Sequence, residues 1–469
     1  MDPRNVTSLP EIVGLTARRQ ADLIRAEELS AVELVTAHLD RIEALNPAVN
    51  AIVSLDREGA LRRAAAADAM PRDDRGPLHG LPIAIKDTAQ TAGMRTTFGH
   101  PLFADNVPDV NDLHVERILR AGAILIGKTN VPELAAGSHT VNRVFGSTRN
   151  PHDRSRSAGG SSGGAAAALA SYFVPIADGS DMGGSLRNPA SFCNVVGFRP
   201  TPGAVPNTWE KDAFNPLATN GALGRNVSDV ALLLSVIAQP SFGAAVDWTL
   251  APRDLNGLRI AYAPDLGGRV PVAPEVADVI ADTAAVLERA GCDVRLDCPD
   301  VDGSDSAFRT LRAAGFDAAW HAHLQADPHA FVDFLADNIA QGAALSSRDV
   351  MRAYAEITRL TQSATRFFDD YDAILAPVST IAPFPVEWNW PKSVSGTVMH
   401  DYLDWMRASW LFTPLGIPGM SLPAGFTPTG LPVGAQLLAA PGHDLELLGI
   451  AQSLEHVLAI PGSDPLGGV

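Results

Sequence analysis

Ala158-Gly159-Gly160-Ser161-Ser162-Gly163-Gly164 is followed, within one short α/β unit, by Gly179-Ser180-Asp181-Met182-Gly183-Gly184-Ser185. Two glycine turns that each carry serine can bring two hydroxyls onto one proton path. Upstream, Gly80-Leu81-Pro82-Ile83-Ala84-Ile85-Lys86-Asp87 reads as an apolar strand that ends on a lysine. Lys86, Ser161 and Ser185 together point to serine chemistry that uses no histidine.

The secondary-structure reading works outward from these runs. Ala165–Ala170 is nearly all alanine, which favours helix and close packing, so Ser161 and Ser162 stand where a loop enters a helix N-terminus. The spacing predicts a strand over 172–177 leading into the second glycine turn. Residues 15–65 read as helices: Ser30-Ala31-Val32-Glu33 has capping-box spacing, Val32, Val35, Leu39 and Ile42 follow at helical intervals, and Asn46-Pro47 is expected to stop the helix. From residue 80 strands alternate with helices: strands at 81–86, 123–126, 258–263, 293–296 and 373–376, helices near 112–121, 274–290 and 443–457. Alternation of this kind predicts an α/β fold with a central twisted mixed sheet wrapped by helices. No linker or charge block divides the 469 residues, so one domain over 1–469 is expected, with 1–70 as a helical cover and 80–200 as the core carrying the site. The stretch 303–410 reads as mostly helical and concentrates four of the seven tryptophans, Trp388, Trp390, Trp405 and Trp410, between 388 and 410, which makes it a candidate pocket wall.

Composition excludes several classes of function. Hydrophobic residues make up 46% of the chain and charged ones 19%, a globular balance with enough apolar material for a large core. A formal charge of −17 disfavours nucleic acid, whose phosphates need clustered Lys and Arg. The longest apolar run, 165–177, contains Ser171 and Pro175 and is shorter than the roughly 20 residues of a spanning helix, so no membrane partner is expected. The first residues lack a basic segment leading into an apolar one, and Cys193, Cys292 and Cys298 are too few for a disulfide scaffold and wrongly spaced for four metal ligands. A cytoplasmic protein without metal or organic cofactor is the expectation, acting on a small molecule as a monomer or homo-oligomer.

An alkyl hydroxyl needs a base to become a nucleophile, and a lysine serves once burial has made it neutral. Ser161 is donor and acceptor at once, which suits it to relay a proton from Ser185 to Lys86. Backbone amides at Met182, Gly183, Gly184 and Ser185 are the expected oxyanion donors, because glycine lets successive N–H groups curl inward. Two local patterns mislead. Gly122–Thr129 has Walker A spacing, but Ala123–Ile126 is an apolar strand where a phosphate loop requires a turn. Gly159–Gly163 fits G-x-S-x-G, yet the polar loop 150–156 precedes it in place of a strand, and no later histidine is marked out by its context. His321, His323 and His329 are read as surface or pocket-lining residues, since a spacing of two splits the first pair across a helix. Cys193 is read as a small apolar core residue.

With these residues in place, the chain resembles the amidase signature family of Ser–Ser–Lys hydrolases. The resemblance runs through 80–87, Gly127-Lys128-Thr129-Asn130, Thr148-Arg149-Asn150-Pro151, 158–164, 179–190 and Gly430-Leu431-Pro432-Val433-Gly434. It implies Lys86 as base, Ser161 as relay and Ser185 as nucleophile, with a non-proline cis peptide before Ser161. It further implies that Ser162 assists, that Asp181 and Arg187 brace the nucleophile loop, and that Ala135, Ala136 and Phe145 belong to a pocket loop. The implied activity is hydrolysis of carbon–nitrogen bonds in small aryl or alkyl amides, with esters and carbamates within reach. A glutaminase-type subunit of a tRNA-dependent amidotransferase is the alternative, and an inactive binding protein a second one. Where the family reads Gly-Thr-Asp-Thr-Gly-Gly-Ser this chain reads Gly-Ser-Asp-Met-Gly-Gly-Ser, a departure that leans toward a stand-alone hydrolase.

Overall fold

The computed structural model of the chain describes residues 9–206, 215–238, 248–460, 462 and 464–467. Its strands are, in order, β1 (Ile52–Leu55), β2 (Pro82–Lys86), β3 (Ile124–Thr129), β4 (Val141–Asn142), β5 (Gly146–Ser147), β6 (Ile176–Asp181), β7 (Val196–Arg199) and β8 (Thr219–Gly224). After them come β9 (Arg259–Tyr262), β10 (Asp293–Leu296), β11 (Ala373–Pro377), β12 (Ser393–Val394), β13 (Thr397–Val398), β14 (Gly419–Phe426) and β15 (Pro432–Leu438). Eight of them form a mixed sheet in the order β10-β9-β11-β15-β14-β7-β8-β6, parallel between β10, β9 and β11 and antiparallel from there on. A second sheet of three strands, β1-β3-β2, carries Lys86 at the end of its edge strand β2.

Alternation along the central strands sorts side chains into two layers, because successive residues of a strand point to opposite faces. Ile260, Ala373, Leu375 and Leu437 enter one core, beneath the helices Val227–Ile237, Pro274–Arg289 and Asp444–Leu458. Their neighbours Ala261, Ile374, Ala376 and Leu438 enter another, with Phe308, Leu360, Trp405 and Trp410 from the 303–410 region. A third core joins the two sheets: Ala84, Ile124 and Ile126 of the small sheet meet Ala177 and Leu223 of the large one around the helix Gly163–Ala170. Ala165, Ala166, Ala167 and Ala168 are all fully buried there, so the alanine run lets a helix lie between two sheets at close range.

Three expectations are corrected. The helix that begins at the Ser30 capping box does not stop at Pro47 but runs over Ala31–Val49. Pro47 costs one backbone hydrogen bond in the last turn, and Asn46 compensates: its side chain accepts from Ala51 and Ile52 and donates to the Ile52 carbonyl. The 15–65 segment also holds β1, a four-residue apolar run whose type periodicity cannot distinguish from a helical turn and which pairing with β3 decides. The strand placed at 172–177 lies at Ile176–Asp181 instead, because Tyr172 has a left-handed backbone (φ 58°) that completes the turn after the alanine helix. Gly179, Ser180 and Asp181 therefore stand on β6, in register with Gly221, Asn220 and Thr219.

The buried alanine helix yields a test. Ala167→Leu adds three carbons where no space exists and is expected to lower stability by about 1–3 kcal/mol, read as a fall in the urea midpoint at unchanged slope.

Candidate active site

Lys86 is fixed at both ends. Its backbone N–H turns away from β3 and donates to Asp178 Oδ1 at 2.8 Å, and its Nζ lies 2.8 Å from Ser161 Oγ, 2.9 Å from Ser162 Oγ and 2.9 Å from Ser180 Oγ. The residue is 1% exposed. Burial pushes its amine down to about 7, against the opposing pull of the Asp178 and Asp181 carboxylates.

Ser161 and Ser162 are buried at the entrance of the helix Gly163–Ala170, and the Gly160–Ser161 peptide is cis. Neighbouring polar groups hold the loop. Thr140 Oγ1 donates to the Gly159 carbonyl and accepts from the Gly163 amide, while Ser157 Oγ accepts from the Gly159 amide. His139 supports Ser157: its Nε2 faces the Val386 carbonyl and so carries the hydrogen, which leaves Nδ1 to accept from the Ser157 hydroxyl at 2.7 Å. Burial holds the His139 imidazole down at about 4, so it stays neutral. A Cβ on Gly160 would come within 3.0 Å of the His139 backbone nitrogen and 3.1 Å of the Gly137 carbonyl oxygen, so the absence of a side chain lets these segments pack closely.

Ser185 joins the cluster through its backbone: the Ser162 N–H donates to the Ser185 carbonyl at 3.1 Å. Unlike Ser161 and Ser162 it is partly exposed, the position a residue needs to meet a ligand from solvent. The loop carrying it is shaped by Asp181. Oδ1 accepts from the Gly184 amide (2.7 Å) and Arg187 Nη2 (3.0 Å), and Oδ2 accepts from the Leu186 amide (3.1 Å) and Arg187 Nε (3.0 Å). Arg199 donates to the Asp181 carbonyl, and Arg187 continues to Gln436 Oε1 and the Ser409 carbonyl. Burial alone would raise the Asp181 carboxyl, but the two guanidiniums and the Gly184 amide hold it well below the usual carboxylate range. The expectation that Gly184 is an oxyanion donor is thereby corrected, since its N–H already serves Asp181. The amides of Met182, Gly183 and Ser185 have no acceptor among the described residues.

Residues 137–139, which pack against Gly160, also line a cavity of about 530 Å³ whose lining includes none of Lys86, Ser161 and Ser185. Its floor is Ala136, Gly137, Ser138 and His139, and its walls include Phe334, Trp390 and Tyr402 from the 303–410 region. Of the three residues expected in a pocket loop, Ala136 lines this cavity. Ala135 and Phe145 do not: Ala135 turns off in a left-handed conformation (φ 57°), and the Phe145 ring lies against the Arg95 guanidinium, 5.2 Å from its centroid. His321 pairs with Asp317 at 2.8 Å, His323 lies against Phe103 and Trp320, and His329 is exposed. Lys128, the lysine of the Walker-like spacing, lies within β3 and donates to the Ala89 carbonyl and Thr91 Oγ1.

Ser180 and Asp178 escaped the reading of the sequence. They stand two apart on β6 and so share a face, the one that meets Lys86, while Asp181 points to the arginines on the other. Period-two alternation would have found them had the strand been placed correctly.

A buried amine of lowered proton affinity among serine hydroxyls is an arrangement that can activate a serine for hydrolysis. The Amidase family model matches residues 33–448, and the chain belongs to that family, the amidase signature enzymes. It is 35% identical over 460 residues to an acylamidase of Rhodococcus erythropolis, covering 94% of this chain and 95% of that one. It is also 34% identical over 489 residues to one component of the glutamyl-tRNA(Gln) amidotransferase of Acidothermus cellulolyticus, covering 95% of both. The crystal structure of a bacterial aryl acylamidase superposes with a TM-score of 0.87 at 27% identity, covering 94% of this chain and 96% of that chain. Among the described residues no helix is long and apolar enough to cross a membrane.

The buried Asp181 makes a separable prediction. Asp181→Asn leaves Arg187 and Arg199 as unmatched buried charges and is expected to destabilise the fold by about 3–5 kcal/mol, measured by denaturant unfolding.

Proposed function

We propose that the chain is an amidase that hydrolyses small uncharged aryl or alkyl amides through an acyl-enzyme, with Ser185 as nucleophile, Ser161 as relay and Lys86 as base. The observation that carries this reading is the hydrogen bonding of Lys86 Nζ to three hydroxyls in a buried site. A neutral amine has two N–H donors and one lone pair. Ser162 Oγ faces the Ser180 carbonyl at 3.4 Å as its own acceptor, so Ser162 and Ser180 can take the two N–H bonds. The lone pair is then left for the Ser161 hydroxyl.

Attack of Ser185 Oγ on the carbonyl carbon passes its proton to Ser161 Oγ as the Ser161 proton moves to Lys86 Nζ. The carbonyl oxygen gains negative charge, which the Met182, Gly183 and Ser185 amides are free to stabilise. Collapse breaks the C–N bond, and the leaving nitrogen recovers the proton through the same relay. Water then cleaves the acyl-enzyme with Lys86 again as base. Nothing in this route is peculiar to nitrogen, so esters and carbamates share it.

The amidotransferase relatives raise a second reading, release of ammonia from glutamine. Glutamine brings an α-carboxylate. Among the described residues lining the cavity the one arginine is Arg143, and both its Nε and Nη2 are committed to the Glu133 carboxylate at 2.6 and 2.9 Å. Asp333 and Asp337 line the same space and repel an anion, whereas the charge of Asp401 is matched by Arg309. The aromatic walls favour an uncharged, partly apolar group instead.

Turnover of anilides, aliphatic amides, esters, carbamates and glutamine is the test. Ser185→Ala and Lys86→Ala are each expected to lose at least about 10³-fold in kcat with melting unchanged, and full activity in Ser185→Ala would place the nucleophile elsewhere. Neutral anilides should exceed glutamine in kcat/KM by more than about tenfold, and the reverse order would favour the glutaminase reading. Since burial lowers the Lys86 amine to about 7, the base is protonated and inactive below that pH, so kcat/KM is expected to rise through about 7 and then level.

A further inference from the structure

Asp178 is a carboxylate that the mechanism above does not use. It is 1% exposed, on β6, and no guanidinium lies within ion-pair distance of it among the described residues. Oδ1 accepts the Lys86 backbone N–H at 2.8 Å, and Oδ2 lies 3.3 Å from Nε2 of His114, itself buried. On the far side of that ring, Nδ1 lies 3.4 Å from Asn220 Nδ2. An amide nitrogen only donates, so Nδ1 is the acceptor and Nε2 carries the hydrogen that goes to Asp178. The chain Asn220, His114, Asp178, Lys86 thus runs from β8 through the helix Leu113–Arg120 and β6 to the strand end that presents the amine.

We infer that Asp178, held by His114 and Asn220, is a positioning residue for the Lys86 base, seating its backbone and supplying a buried negative charge beside its side chain. This rests on the amidase reading for its catalytic meaning, not for its geometry. Asp178 accepts from the base's own residue while Ser180, two positions on, accepts from the base's side chain, so one face of β6 holds both ends of Lys86. The other charges around the site are engaged. Asp181, also on β6, is matched by Arg187 and Arg199. Asp87, just after β2, accepts from the Thr97 amide and hydroxyl and faces Lys128 of β3. Asp112 immediately precedes the His114 helix without capping it by its side chain, which accepts instead from the Gln90 amide. Lys128, on the adjacent strand, also lies within electrostatic reach of Asp178. A buried anion favours the protonated amine, and in its absence burial drives the amine further toward neutrality.

The test is Asp178→Asn, which keeps an oxygen to accept the Lys86 N–H and removes the charge. The acid limb of kcat/KM is expected to move down by about one pH unit. The Lys86 signal in ¹³Cε-lysine NMR, assigned with Lys86→Ala, is expected to titrate lower by the same amount. The NMR titration needs no turnover, so an enzyme inactive on every amide tried would count against the amidase reading while leaving this inference measurable. A purely structural Asp178 predicts lower melting and lower kcat with both midpoints unmoved, and that result overturns the inference. If Asp178→Asn fails to fold, His114→Leu takes its place: it removes the donor that partly neutralises Oδ2, so the Asp178 charge acts more strongly on Lys86 and the same midpoints are expected to rise, and His114→Gln, which can still donate, to restore them. Unmoved midpoints in a folded His114→Leu likewise overturn it.

Discussion

An ammonium group taken out of water has to be either neutralised or surrounded by partners, and the end of β2 does some of each to Lys86. Burial lowers its proton affinity, three serine hydroxyls give it directional hydrogen bonds, and two carboxylates farther off keep the protonated form from becoming prohibitive. The remaining architecture can be understood as what is needed to hold that amine there. A lysine one position earlier on β2 would point to the opposite face, since side chains alternate along the strand.

Two sheets meet at this point, and the way they meet explains the glycines. The small sheet supplies Lys86 and the edge of the large sheet supplies Asp178, Ser180 and Asp181, with the alanine helix between them. Close approach is possible because the facing residues are small. A Cβ at Gly179 would lie 2.8 Å from Ser162 Oγ and 2.7 Å from Leu186 Cδ2, so a side chain there would push Ser162 off the amine. Gly184 is different in kind. Its backbone adopts φ 109°, which lets its N–H turn back to Asp181 and leaves its neighbours' amides facing outward. Gly179 is required by packing alone, whereas Gly184 is required by its conformation and by packing together, since a Cβ there would lie 2.6 Å from Ser409 Cβ.

Much of this was legible in the residues themselves. The paired glycine–serine runs, the strand ending on Lys86 and the alternation of strands and helices were sufficient to place an α/β fold and to bring Lys86 and Ser161 together. What was lost came from two sources. Local errors of register hid neighbours: with β6 placed four residues too early, Ser180 fell in a turn and the shared face of Asp178 and Ser180 could not be seen. Pro47 looked like a stop because its missing N–H is a local fact, whereas the Asn46 side chain that compensates for it depends on where the chain goes next. Contacts distant in sequence were beyond reach. The cavity takes its floor from 136–139 and its walls from residues near 334, 390 and 402, and no periodicity relates those segments.

The distribution of charge around the site follows from the same constraint. Each buried carboxylate near Lys86 has a different set of partners, and the difference governs what it can do. Asp181 is saturated by Arg187, Arg199 and two amides, so its charge is spent on holding a loop. Asp178 has only a backbone N–H and a histidine ring, both weaker neutralisers than a guanidinium, so more of its field remains to act on the amines beside it. An amine poised near neutrality needs such an imbalance: an arginine at His114 would cancel the field of Asp178, and loss of an arginine from Asp181 would release a stronger one. The site therefore separates two tasks that one carboxylate cannot perform at once, bracing the loop that carries Ser185 and setting the environment of the Lys86 amine.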